Sequence, residues 1–301
     1  SDNEGYMHAC GHDAHMTFGL GVLREFVDGD FAGTLKVLFQ PAEELIGGAR
    51  PMAESGHLDD VDAILAVHVG LGYGTGEVVA GLEGFLAVSQ FRAEFTGEPA
   101  HAGGHPNQGR NAVQALGAAI QGLYGIPRHE DGDTRVNAGR VEGGTATNII
   151  PESARIEGEV RGETTQLMEY MRDSADRVLE SAAAMHDCEV DIERWGEAPT
   201  YRADDAAAEA VAAAARGVDG VTDVHRHGDL GGSEDAAILM RHVQERGGRA
   251  SFVCVGTDHP GGHHTATFDV DEDSLEVGVG VLAGALHRLG EATDDGRVDE
   301  A

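Results

Sequence analysis

Near the start of the chain, Met7-His8-Ala9-Cys10-Gly11-His12-Asp13-Ala14-His15 sets a thiol, three imidazoles and a carboxylate within a few positions. Cys10 and His12, a soft and a borderline ligand two positions apart, suit a borderline divalent metal. Similar chemistry recurs along the chain. Gln40-Pro41-Ala42-Glu43-Glu44 presents two adjacent carboxylates directly after an apolar run, and His68 ends a second such run. Gly261-Gly262-His263-His264 precedes Phe268-Asp269-Val270-Asp271-Glu272. Each group has a plainer counterpart. A free cysteine is among the most buried residue types, paired acids are usually solvated, and a lone histidine at a strand end is more often a hydrogen-bonded core residue. Together the groups exceed what one ion needs, and a two-metal hydrolytic centre accounts for them better.

These residues need elements to position them. Residues 13–26 have the spacing of a helix, with Phe18, Val22, Leu23 and Phe26 on its apolar face. Residues 35–39 suit a buried strand ended by Pro41, which places Glu43 and Glu44 in a loop where open α/β sheets bind ligands. A helix over 48–55 and a second buried strand over 63–67 follow. Between 85 and 199 the pattern changes to strand 86–95, helix 111–124, strands 135–141 and 154–160, helix 166–185 and strand 188–192. That β-α-β-β-α-β order is the ferredoxin-like plan, here inserted into a surrounding α/β domain. The outer domain resumes with helix 206–216, strand 223–226, helix 234–246, strand 250–255 and helix 273–289, and residues 291–301 are expected to fray as an acidic tail. The expected organisation is a catalytic α/β domain over 1–84 and 200–290, with a mixed sheet and flanking helices, an inserted α+β lid or dimerisation domain over 85–199, and the tail.

A chain of 301 residues with 41% hydrophobic content has ample core for this plan. It carries 53 acidic against 21 basic residues, a net of −32, with Lys36 the sole lysine. Such a surface repels nucleic acid and anionic membranes, so neither is expected as a partner. Disorder is excluded by apolar periodicity throughout, and a field meant for one ligand would be concentrated rather than spread over every helix and loop. Self-repulsion of this size is tolerable in concentrated salt, which suggests a halophilic host. Three scattered cysteines give no disulfide framework, and Cys188 and Cys254 fall in strand patterns as packing residues. No apolar run is long enough to span a bilayer and no leader is visible, so a cytoplasmic location is expected.

On Met7 to His15, Gln40 to Glu44 and His68, with Ala100-His101-Ala102-Gly103, Asn148-Ile149-Ile150-Pro151 and Ser233-Glu234-Asp235, the chain resembles the M20 metallopeptidase and amidohydrolase family. Gly109-Arg110-Asn111-Ala112 and Arg135-Val136-Asn137 add to the likeness. It is most similar to the branch of N-acyl amino acid and hippurate hydrolases. The resemblance implies that Cys10, His12, Glu44, His68 and His264 ligate two divalent ions (manganese, zinc or cobalt), with Cys10 bridging. It further implies Glu43 as general base, His101 as oxyanion stabiliser reaching in from a partner subunit, and Asn148 and Arg161 as holders of the substrate carboxylate. His264 is preferred to His263 because its spacing to Phe268 fits the family pattern.

The activity implied is hydrolysis of an N-acyl amino acid, of the p-aminobenzoyl-glutamate type, by a homodimer or a heterodimer paired through the lid. A general aminoacylase or carboxypeptidase-like hydrolase, and a non-catalytic partner subunit, are the alternatives. Asp13 is expected either to orient a liganding histidine or to favour the helix N-terminus. Ser233 is expected to line the site, and His8, His57, His105, His129 and His263 to be structural or surface residues. Family members carry a further stretch before the cysteine motif, so the resemblance also implies that the N-terminal part of the catalytic domain is missing.

Overall fold

The computed structural model describes residues 4–298 apart from positions 28, 30, 32 and 260, with backbone alone from 292 onward. The chain enters α1 (His12–Val27), makes a 3-10 turn at Glu43–Leu45, and continues through α2 (Ala49–Glu54), β1 (Ala63–Val69), β2 (Glu77–Val79) and β3 (Leu82–Glu83). It then departs into β4 (Ala87–Thr96), β5 (Ala100–His101), α3 (Ala112–Tyr124), β6 (Thr134–Gly143), β7 (Ile149–Ile150), β8 (Ser153–Gly162), α4 (Thr165–Met185) and β9 (Glu189–Ala198). It returns with α5 (Asp205–Ala215), β10 (Asp223–His225), β11 (Gly228–Asp229), α6 (Ala236–Glu245), β12 (Arg249–Val255) and α7 (Asp273–Val298).

The outer sheet has the order β1-β12-β2-β10 and is mixed: β1 and β12 are parallel, β12 and β2 antiparallel, β2 and β10 parallel. β12 is apolar on both sides because alternate residues face opposite layers. Val253 and Val255 pack with Phe18 of α1, Val211 of α5 and Val281 of α7, while Phe252 and Cys254 pack with Met240 of α6 and Phe85. The result is a helix–sheet–helix sandwich. β1 stands at its edge, in register with β12 (His68 opposite Cys254) and paired with no other strand among the described residues.

The excursion has the order β6-β8-β4-β9, antiparallel throughout, with α3 and α4 packed against it through a core that includes Phe91, Phe95, Ile156, Met171 and Leu179. This is the ferredoxin-like arrangement. Side-chain caps start both helices: Asn111 accepts from Gln114 N at 3.1 Å, and Thr164 from Leu167 N at 3.2 Å. No helix among the described residues is long and apolar enough to cross a membrane.

The structure departs from expectation in three places. Residues 35–39 are not a strand: they run without ladder pairing along a cleft of about 1030 Å³, whose opposite wall includes Ala63 to Val67 of β1. An apolar run needs a neighbouring strand to become one, and none pairs with it among the described residues. α1 buries Ala14, Phe18 and Val22, whereas Leu23 turns outward with Met16, Leu20 and Val27. The expected tail at 291–301 is helical as far as Val298, as a continuation of α7, and positions 299–301 lie outside the described residues.

Candidate functional site

Gly11 is where two elements meet. Its φ is +80°, and a Cβ there would come within 2.3 Å of Val69 Cγ2, so the backbone can lie against the end of β1 only without a side chain. That approach brings Cys10 Sγ to 3.5 Å from His68 Nε2. His68 Nδ1 donates to the Val69 carbonyl at 2.8 Å, which leaves the Nε2 lone pair facing the thiol. From the first turn of α1, His15 Nε2 accepts from Val69 N at 3.0 Å and ties helix to strand.

Two further segments close on this junction. The 3-10 turn sets Glu43 Oε2 3.4 Å and Glu44 Oε1 3.9 Å from His12 Nε2. His264, with φ +62°, donates its backbone N–H to Ala9 O at 2.7 Å and holds Nε2 3.3 Å from Glu44 Oε2. The donor atoms of Cys10, His12 and His68 lie within 4.8 Å of one another, as do those of Cys10, Glu44 and His264. Cys10 belongs to both sets. One thiol, three imidazoles and a carboxylate, with Glu43 alongside, form a donor set that fits two borderline divalent cations.

The electrostatics agree with that fit. Burial, then the charges of Glu44 and Glu43, push the Cys10 thiol up to about 12. A bound dication would invert this, because a coordinating thiol is deprotonated outright. Burial lowers His68 to about 4 and His15 well below its ordinary range, which favours the neutral imidazole, the form that ligates at His68 and that accepts from Val69 N at His15. His12 is raised, chiefly by its hydrogen bond to Glu43. Glu234 is raised well above the carboxylate range, first by burial and then by the charge of Glu43.

The expected site residues of the inserted domain stand elsewhere. His101 is on β5, paired with β7, and its Nδ1 accepts from Gly103 N at 3.2 Å and Gly104 N at 2.9 Å. Asn148 adjoins β7, and its backbone carbonyl accepts from Ala102 N at 2.9 Å, so it lies beside His101 at this two-stranded pair. Arg161 lies on β8 and pairs with Glu159 through Nε at 2.7 Å. None of the three bonds to the Cys10–His264 cluster among the described residues. Ser233 donates its hydroxyl to Leu86 O at 2.7 Å, bracing the start of the lid against the outer domain. His263 Nε2 faces the Val69 carbonyl at 3.2 Å, a structural contact.

Three participants escaped the sequence reading. Glu234, Asp235 and His15 pack around the ligands, and Asp235 is fully buried. Their signal was the Ser233-Glu234-Asp235 string, but acids beside a helix start ordinarily complement its dipole at the surface, and nothing in the string marks burial. His8 also falls within 4.8 Å of His12 and Glu44. A separate group, Glu77, Asp223 and His225, sits at the far sheet edge, where His225 Nε2 and Glu77 Oε2 are hydrogen-bonded at 2.9 Å.

Comparison with known proteins places these features in context. The model of peptidase family M20/M25/M40 matches residues 1–288. Indole-3-acetyl-aspartic acid hydrolase of Enterobacter agglomerans is 41% identical over 94% of this chain and 66% of its own length. A p-aminobenzoyl-glutamate hydrolase subunit from Escherichia coli K12 is 40% identical over the same shares. Among solved structures, a Bacillus subtilis dinuclear metal binding peptidase from the M20 family superposes with a TM-score of 0.71 at 27% identity, over 97% of this chain and 75% of that one. The chain thus spans 66% of the length of the two curated relatives.

Proposed function

The chain belongs to peptidase family M20/M25/M40, and from that premise we propose that it carries a dimetal amidohydrolase centre acting on N-acyl amino acids. The observation that supports this reading is the proximity of the Cys10, His12 and His68 donor atoms to one another and of those of Cys10, Glu44 and His264, with Cys10 common to both groups and Glu43 beside them. Two divalent ions held there would polarise the scissile carbonyl and lower the pKa of water toward about 7.

The other tasks fall to this chain's own side chains. Glu43 is not needed as a ligand once Glu44 serves, and its carboxylate is free to take a proton from water and return it to the departing amine. His68 is aimed by its bond to the Val69 carbonyl, so its lone pair needs no reorganisation to meet a cation. His101 and Asn148, side by side at the paired strands β5 and β7, suit an oxyanion and a substrate carboxylate. Arg161, with its planar fork, suits the same carboxylate. On this reading the lid of a second copy, or of a paralogous chain, brings His101 to the metals.

Two relatives near 40% identity, whose names pair an aromatic acyl group with aspartate or glutamate, support a substrate class. We infer an aromatic acyl amide of an acidic amino acid, p-aminobenzoyl-glutamate among them. The test is a panel of amides assayed by kcat/KM on the protein loaded with manganese or zinc. The aromatic acyl glutamate and aspartate amides should exceed N-acetyl amino acids by roughly tenfold or more, a difference of about 1.4 kcal/mol. The reverse order would point to a general aminoacylase. Two bound ions with no turnover on any amide would point to a non-catalytic subunit.

A further inference from the structure

The turn that carries Glu43 and Glu44 is closed on itself. A Cβ on Gly48 would fall 1.6 Å from the Pro41 carbonyl oxygen, so the two ends of the loop touch backbone to backbone. Within it, Leu45 N and Gly47 N both donate to Ala42 O, at 3.1 and 3.3 Å. Ala42 and Ile46 take left-handed conformations, with φ of 55° and 51°. For a β-branched residue that is an outlier, and such conformations persist only where the surroundings over-determine them.

The turn lies against Gly196 of β9, where a Cβ would come within 2.9 Å of Leu45 O, and one buried side chain reaches both of its ends. Asp235, at the start of α6, has no exposed surface. Its Oδ1 accepts from Gln40 Nε2, on the residue before Pro41, and its Oδ2 accepts from Ala49 N at 3.0 Å, on the residue after Gly48. The Gly48 N–H also turns toward this carboxylate. All of these donors belong to the two ends of one loop, and no cation pairs with Asp235 among the described residues. A buried carboxylate without a counter-ion is costly unless its hydrogen bonds are kept. Opening the loop would strand that charge, so the carboxylate and the loop hold each other.

We propose that Asp235 is a positioning residue that clamps the Gln40–Ala49 loop and thereby sets Glu43 and Glu44 against His12. The clamp depends on the proposed hydrolytic reading only for its effect on turnover; the loop geometry stands independently of it.

The experiment compares wild type, Asp235→Asn, Gln40→Leu and the double variant Asp235→Asn with Gln40→Glu in the full chain. Hydrogen exchange of the Leu45, Ile46 and Gly47 amides and zinc affinity are measured together with kcat and KM. Asn at 235 can accept from Ala49 and, with the Gln40 amide turned over, donate to Gln40 Oε1, so the charge-assisted bonds at both ends of the clamp become weaker neutral ones. Exchange at the three amides should quicken roughly tenfold or more, the scale expected when a charge-assisted hydrogen bond goes. Zinc affinity should fall about 10- to 100-fold, as for other residues that orient ligands, and kcat should drop with KM little changed. In the double variant the Asn amide can donate to the new carboxylate while its oxygen keeps Ala49, so loop exchange and zinc affinity should return toward wild type.

Unchanged loop exchange and zinc affinity in Asp235→Asn would overturn the clamp, as would failure of the double variant to restore either. Should Asp235→Asn not fold, Gln40→Leu severs the same bond from the loop side, and the same two readouts decide. If wild type hydrolyses none of the amides yet the loop and zinc respond as stated, the functional reading fails and the clamp stands.

Discussion

At Glu43, replacing one carboxylate oxygen by an amide keeps the shape and removes the capacity to accept a proton. Glu43→Gln should therefore lower kcat by about 10²- to 10⁴-fold, the usual weight of general acid–base catalysis, while metal content by elemental analysis stays at the wild-type level. Activity within a few-fold of wild type would remove Glu43 from that role. His15 offers a test of a different kind, because burial depresses its pKa well below the ordinary 6.5. Above pH 6.5 it is neutral folded and unfolded, and contributes no pH dependence. As pH falls below 6.5 the unfolded chain takes up a proton that the folded chain refuses, so stability is lost on acidification. His15→Gln keeps an acceptor for Val69 N without titrating. In the metal-free protein, denaturant melts should show the variant losing less stability between pH 7 and pH 5 than wild type does.

Between Cys10 and α1 the positioning rests on one glycine. Gly11→Ala must place a methyl against Val69 Cγ2 in a left-handed backbone, and the strain should cost about 1–3 kcal/mol. Because the same contact sets Cys10 beside His68, zinc affinity should fall with the melting temperature; isothermal titration and a thermal melt together check it. The elements with their own periodicity were legible before the structure: α1, α3, α4, β4, β8 and β12 sit within a few residues of where spacing places them. The short strands β2, β3, β5, β7 and β11 were not, since two or three residues carry no period and exist only through their partners. The same logic explains residues 35–39, where an apolar run was present and a pairing strand was not. Cys10, His12, Glu44, His68 and His264 could be singled out by residue type and by resemblance. Asp235 could not, because its significance lies in whose hydrogen bonds it accepts.

Taken whole, the molecule carries a formal charge of −32. Its ion pairs are mostly exposed or half-buried, such as Arg155–Glu142 at 2.7 Å, and exposed pairs contribute little each. Net repulsion is then the dominant surface effect, and salt relieves it: the screening length falls from about 10 Å at 0.1 M to about 3 Å at 1 M. The denaturation midpoint should rise as potassium chloride is raised from 0.1 to 2 M, followed by circular dichroism. Greatest stability in low salt would exclude salt adaptation. Against this acidic exterior, the outward row of Met16, Leu20, Leu23 and Val27 on α1, close to the cleft beside β1, is an apolar exception. Among the described residues β1 is held to the sheet along one side, with His68 near its end. A strand held on one side opens more readily than one held on both, and an opening that shifted His68 would part its imidazole from the Cys10 thiol. In the proposed centre, ion loss would then be timed by such openings, and the rate at which excess chelator strips zinc should level off as its concentration rises.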